Sequence, residues 1–395
     1  MTNPNNATMT MVHRVRFVDG HGLTIPTFRL LKDDGHLYAD ATAPDLDQAQ
    51  ALAMYHSMVT TRLLDERMLA AQRQGRISFY LQSLGEEAQA VASAAALAPQ
   101  DMILAQYREQ GALLHRGFTL EQFMNQLFSN AEDLGKGRQM PVHYGCRALN
   151  FMTISSPLAT QIPQATGVAY GQRLAGEDAI TLCYFGEGAA SEGDFHAGLN
   201  MAAVLKTPVI FFCRNNGYAI STPASEQFVG DGIASRAVGY GIRTLRVDGA
   251  DTLAVFEATR QARNLILAEP QPVLIESMSY RLGAHSSSDD PSGYRSRAEE
   301  ERWRKRDPIG RYRLWLLHQG WLDEDDDRRR SDTLRRQILE VMKQAEQRSR
   351  PPLNSLIEDV YASPPARLKQ QLEQLKRQLA AYPEHYPASQ GRERE

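Results

Sequence analysis

At 395 residues and 42% apolar content, the chain is long enough for two or three domains and a sizeable core. Its 44 basic and 47 acidic residues nearly balance, which argues against a nucleic-acid partner or an anionic membrane surface. No apolar run approaches the ~20 residues of a membrane span, and the three cysteines, Cys146, Cys183 and Cys213, lack metal-ligand spacing and read as buried free thiols in a reducing compartment.

The first ten residues are polar and rich in Asn and Thr. They lack the pattern of a secretory signal or an Arg-rich transit peptide, so the expectation is a cytoplasmic chain of bacterial type, or a mitochondrial matrix chain only if a transit peptide has been removed. Residues 1–45 are punctuated by Pro, Gly and Asp and read as an irregular arm. An α/β domain is expected over 46–310 and a helical C-terminal extension over 311–395. Residues 45–74 have helical periodicity, with Leu52, Met54, Tyr55, Met58, Leu63, Leu64, Met68 and Leu69 on one broad apolar face. A second helix is expected over 85–97. A third covers 120–127, where Thr119 as N-cap and Gln122 complete a capping box. Residues 160–174 are helical, and Ala165, Gly167, Ala169 and Gly171 suit close packing.

Strands then alternate with helices. Strands are expected at 179–185, 208–213, 243–247 and 272–280, and helices at 191–205 and 252–268. This alternation implies a doubly wound, mostly parallel α/β sheet. Past residue 308 the chain turns helical and charged. Leu334, Ile338, Val341 and Ala345 mark one helix. Leu368, Leu372, Leu375 and Leu379 mark another, docked on its own subunit or on a neighbour. The charge run 323–330 reads as a solvated turn.

The chemistry concentrates at two strand ends. The first apolar run closes in Gly186-Glu187-Gly188-Ala189, the second in Arg214-Asn215-Asn216. In a parallel βαβ unit both ends lie on the edge of the sheet where ligands bind. One carboxylate and one amide, Glu187 and Asn216, suit magnesium, which takes few protein ligands and fills its shell with phosphate oxygens and water. Gly186 and Gly188 let a phosphate approach the backbone, the next helix offers its N-terminus, and Arg214 can fork onto phosphate. The competing reading is a buried strand pair with ordinary turn glycines. The paired strand ends, the Asn-Asn and the Arg together outweigh it.

Gly-acid-Gly, then Asn-Asn after a little under thirty residues, is the thiamine diphosphate motif. With residues 74–80, 106–109, 135–146 and 155–161, it resembles the alpha subunits of the branched-chain 2-oxo acid dehydrogenase decarboxylase component. The resemblance runs from about Ile25 to Tyr386-Pro387. It implies a thiamine diphosphate-binding fold, with Glu187, Asn216 and the Tyr218 carbonyl as magnesium ligands. It places Tyr107, Arg108, Gly186, Gly188, Ala189, Arg214 and His285 around the cofactor, and Ser156 and Leu158 at its aminopyrimidine edge. Ser155, Pro157, Thr160 and Gln161 resemble a potassium site. His285 resembles the residue that aids acyl transfer to lipoamide, and a His that titrates near neutrality suits that proton transfer. His143 and His196 read as structural hydrogen-bonders, and Ser286, at a phosphorylated position of mitochondrial relatives, as a plain loop serine. Glu187 is Asp in most of the wider family and Glu in the branched-chain members. Ala284 stands where some relatives have a second His.

The resemblance further implies a beta subunit that supplies the cofactor-activating Glu, a tetramer of two alpha and two beta subunits, and a lipoyl acyltransferase core. The rivals are the sister alpha subunit acting on pyruvate and a non-catalytic magnesium-phosphate-binding module.

Overall fold

The computed structural model describes residues 12–385. The polar first ten residues, and Tyr386 and Pro387 at the end of the resemblance, lie outside the described residues. The strands are β1 (Thr27–Phe28), β2 (Met102–Leu104), β3 (Phe151–Met152), β4 (Thr181–Gly186), β5 (Val209–Asn215), β6 (Tyr218–Ala219), β7 (Thr222–Pro223), β8 (Arg243–Asp248) and β9 (Val273–Met278). Seven form one sheet in the order β1-β8-β9-β5-β4-β2-β3, and every neighbouring pair is parallel. Strands β6 and β7 form a small antiparallel hairpin.

The central strands are near-continuous apolar runs because both faces of the sheet are covered. Successive side chains point to opposite faces. Leu182 and Tyr184 of β4 join Ile210, Phe212 and Ile275 in one core cluster. Cys183 and Phe185 join Phe211, Cys213 and Leu274 in the other. The first cluster is closed by Met54, Met58 and Leu64 of α1 (Gln48–Arg73), Val91 of α2 (Glu87–Ala95) and Leu253 and Ile266 of the helix Thr252–Ala268. On the same side α3 (Gln110–His115) and α4 (Leu120–Phe128) add Ala112, Leu113, Phe123, Met124 and Leu127 to this first cluster. The second cluster is closed by Ile162, Ala165 and Ala169 of α5 (Gln161–Ala175) and Phe195 and Leu199 of α6 (Gly193–Leu205). Burial of each such Leu, Ile or Phe stabilises the fold by roughly 1.5–3 kcal/mol. The architecture is the expected doubly wound α/β sheet.

Helix starts follow their caps. Asp47 and Gln50 form a capping box on α1, and Thr119 and Gln122 form the expected one on α4. The charge run expected as a turn is instead the start of the helix Glu324–Gln347. Asp323 caps it by accepting from Asp325 and Asp326, and four acidic residues in its first turn favour the positive end of its dipole. The arm is not wholly irregular: β1 extends the sheet beside β8. Asp251 pins it there, accepting from the backbone N–H of Leu30 at 2.7 Å and Leu31 at 2.6 Å while its other oxygen caps the helix Thr252–Ala268. The C-terminal helices dock on the same body. Tyr312 donates to the Ala51 carbonyl at 3.2 Å, and Tyr55 to Asp327 at 2.9 Å. In the last helix, Ala366–Ala381, Leu372 is buried and Leu368, Leu375 and Leu379 are partly so.

Candidate functional site

Because the sheet is parallel, the neighbours β9, β5, β4 and β2 all release their chains at one edge. Residues 280–285, 214–216, 187 and 106–108 leave there. Gly186 stands in register with Arg214, and its N–H donates to Gln106 Oε1 at 2.7 Å, which ties the ends of β4 and β2 together.

Glu187 is 2% exposed, and its Oε1 has no hydrogen-bond partner. Burial pushes its carboxyl up to about 7; the neighbouring Glu86 adds to the rise, and the backbone of Asn216 and the charge of Arg214 oppose it. Glu187 and Asn216 are thus side by side, as expected. The Asn216 Oδ1 accepts from the Tyr218 N–H at 3.2 Å. A buried carboxylate oxygen with no partner, on a residue that the Asn216 backbone contacts, and the Asn216 amide oxygen are donors of the kind that fits a hard cation. Among the described residues no three His, Cys, Asp or Glu side chains cluster as a metal site, so any cation here relies on oxygen from other groups. At Gly188 a Cβ would lie 2.7 Å from that of Ala219, so only glycine fits the turn against the hairpin. Ala189 is buried in the 3-10 turn that follows. That turn intervenes before α6, so the helix N-terminus expected at the glycine turn begins only at Gly193.

Arg108 and Arg214 are each 2% exposed and converge on the same edge. Arg214 pairs with Glu86 at 3.1 Å and, through Nε, with Glu109. Glu109 also accepts from three consecutive backbone N–H groups, those of Gln106, Tyr107 and Arg108, at 2.9–3.0 Å. Sequence reasoning missed both glutamates. Glu86 sits in a Gly85-Glu86-Glu87 helix start, and nothing local ties it to Arg214. The guanidinium of Arg108 lies over the Tyr107 ring and donates to the carbonyls of Gln82 and His285.

His285 follows β9 on a loop held by several contacts. Its N–H donates to Asp289 at 2.7 Å, and Arg295 donates to the carbonyls of Arg281 and Gly283. Arg108 and Arg281 approach its Nδ1 at 3.2 and 3.4 Å. The expectation that this imidazole titrates near neutrality is corrected. Burial, then the charges of Arg108 and Arg281, drive it down to about 3. Two cationic donors at Nδ1 leave that nitrogen the acceptor, so the proton resides on Nε2.

The Ser155–Gln161 turn gathers three of its four expected oxygen donors. Thr160 Oγ1 lies 3.3 Å from Ser155 Oγ and 3.1 Å from the Pro157 carbonyl, while Gln161 donates its amide to the Tyr184 carbonyl at 3.0 Å. Ser156 bonds His143 at 2.7 Å and Leu158 is 42% exposed. Among the described residues no hydrogen bond joins either to the Arg108–Arg214 cluster. His196 bonds Tyr240 at 2.7 Å.

The family described as "Dehydrogenase E1 component" matches residues 55–354. The chain is 51% identical to the human protein named 2-oxoisovalerate dehydrogenase subunit alpha, mitochondrial, over 96% of this chain and 86% of that one. It is 50% identical to the Arabidopsis thaliana subunit alpha 1, over 92% of this chain and 77% of the relative, and 50% identical to the Caenorhabditis elegans subunit alpha, over 92% and 84%. These relatives are eukaryotic and their names place them in mitochondria, which overturns the expectation of a cytoplasmic protein of bacterial type. No helix among the described residues is long and apolar enough to cross a membrane. On the extent of the family match and these identities, the chain belongs to the dehydrogenase E1 component family.

Proposed function

We propose that this chain is the alpha subunit of a branched-chain 2-oxo acid dehydrogenase and carries the diphosphate- and magnesium-binding half of its active site. The observation that carries the reading is the convergence of Glu187, Asn216, Arg108 and Arg214 on one edge of a parallel sheet, with a buried Glu187 oxygen left without a partner. The relatives' names point to 2-oxoisovalerate as substrate.

In this reading Glu187 Oε1, Asn216 Oδ1 and the Tyr218 carbonyl hold magnesium. Arg108, Arg214 and the glycine turn grip the diphosphate, and Tyr107 and Ala189 line it. Ser156 and Leu158 seat the aminopyrimidine edge. Ser155, Pro157, Thr160 and Gln161 hold potassium. When bound, thiamine diphosphate supplies the carbanion and electron sink that let a 2-oxo acid lose carbon dioxide. The acyl carbon is oxidised as the lipoyl disulfide is reduced, so one S–S bond breaks and a thioester and a thiol form. His285 assists that transfer at Nε2, its Nδ1 held by arginines. The activating Glu comes from the beta subunit, in a tetramer of two alpha and two beta chains that serves a lipoyl acyltransferase core.

The test is substrate preference of the assembled protein. A specificity constant for 3-methyl-2-oxobutanoate (2-oxoisovalerate) above that for pyruvate supports the reading. The reverse order moves the chain to the pyruvate-using sister enzyme, and no carbon dioxide from either acid leaves the non-catalytic module.

A further inference from the structure

Glu86 is the buried carboxylate on which the candidate site's groups meet. It is 1% exposed. Its Oε1 accepts from Gln89 at 3.0 Å, from Arg214 at 3.1 Å and from the Asn216 amide at 3.4 Å. Its Oε2 lies 3.9 Å from Nε of Arg108 and has no hydrogen-bond partner. Its place is set by backbone: at Gly85, with φ +89, a Cβ would fall 2.4 Å from the Tyr280 carbonyl, so the turn that aims Glu86 inward closes against the end of β9.

The consequence concerns Asn216. An Asn side chain can present either its oxygen or its NH2 to a cation, and only the oxygen binds one. The Glu86 oxygen facing the amide already accepts from Arg214, so the amide edge turned to it is the NH2. From the other side the Tyr218 N–H donates to Oδ1 at 3.2 Å. The two contacts select the same flip, and the oxygen keeps a second lone pair for a cation. The same Glu86 oxygen holds Arg214, so the amide and the guanidinium are spaced by one anchor.

We propose that Glu86 is a positioning residue of the magnesium–diphosphate site, which turns the Asn216 amide oxygen-first toward the cation and fixes Arg214 beside it. The proposal rests on the functional reading above. The nearest alternative is a buried ion pair that serves the fold alone. The two differ in what they make of magnesium. Groups behind a metal ligand commonly tune metal affinity 10–100-fold, whereas a purely structural pair lowers stability without changing how the folded protein uses the cation.

The experiment titrates magnesium into the chain assembled with its beta subunit, at fixed thiamine diphosphate and without 2-oxo acid, reading bound cofactor by calorimetry. Melting temperatures are taken alongside. Glu86→Ala should raise the half-saturating magnesium concentration about 10-fold or more. Glu86→Gln should recover most of that loss, because its amide can turn its oxygen to Arg214 and Asn216. Should Glu86→Ala not assemble, Glu86→Leu fills the volume without an acceptor and is held to the same outcome. An unchanged magnesium requirement in the Ala or Leu variant, or a Gln variant as weak as Ala, overturns the proposal. If the wild-type assembly itself shows no magnesium-dependent cofactor binding, the functional reading fails and this proposal falls with it. If only the Glu86 variants behave like wild type, the reading stands and the proposal alone is lost.

Discussion

In the proposed reading, Glu187 is the residue on which the site's chemistry turns. Its carboxylate is buried and its Oε1 has no hydrogen-bond donor, a cost that a bound cation would offset. Glu187→Ala should therefore abolish magnesium-dependent cofactor binding in the assembled protein and leave its melting temperature at least as high. Calorimetry showing wild-type cofactor affinity would contradict the assignment. His285 behaves differently. In the proposed reading its neutral imidazole donates from Nε2, Nδ1 being held by two arginines, so His285→Ala should slow lipoamide acylation by ~100-fold, the scale of losing one donor to developing charge, and leave cofactor affinity nearly unchanged. Acylation at the wild-type rate would make it a structural loop residue. Its depressed folded-state pKa also has a stability signature. Below pH 6.5 the unfolded chain binds a proton that the folded chain refuses until about 3, so folding stability drains away across that window. Denaturation midpoints of wild type and His285→Gln should differ by a constant amount above pH 6.5 and shift in favour of the variant below it. Parallel pH curves would show that His285 titrates freely.

Among the elements, those built from contiguous pattern were legible and those built by docking were not. The Thr119–Gln122 capping box announced α4, and the helix Thr252–Ala268 has the bounds its periodicity predicts. β4 and β5 read as strands because they are apolar runs ending in glycine or Arg-Asn-Asn. By contrast β2 is three residues long, and β1 and β3 two each, too short to show a period; they become strands only by pairing with neighbours already in the sheet. The same holds for the site. The neighbouring positions of Glu187 and Asn216 were legible because each follows the end of a strand, whereas Glu86 meets Arg214 across 128 residues of sequence, a pairing that only the fold creates. The place of His285 on the loop after β9 was legible, but its charge state was not, since Arg108 lies 177 residues away. Docking also carries an energetic prediction. Asp251 satisfies two buried N–H groups of the N-terminal arm and caps a helix. Asp251→Ala should cost roughly 2–4 kcal/mol by urea denaturation, combining a lost cap with unpaired buried donors. A loss under about 0.5 kcal/mol, the scale of an ordinary surface change, would show that the arm is held elsewhere.

At the scale of the whole molecule, strand–helix alternation made the sheet and its two covered faces readable, and the family match and the relatives agree with that reading. Compartment was not readable from the N-terminal sequence, whose composition pointed away from the mitochondrial names its relatives carry. The central claim is that this chain grips the diphosphate and the cation while the beta subunit activates the cofactor. The direct test is carbon dioxide release from 3-methyl-2-oxobutanoate, with thiamine diphosphate and magnesium, by this chain alone, by the beta subunit alone and by the two together. The account predicts release only from the mixture. Sustained turnover by this chain alone, or none from the assembled pair, would contradict it.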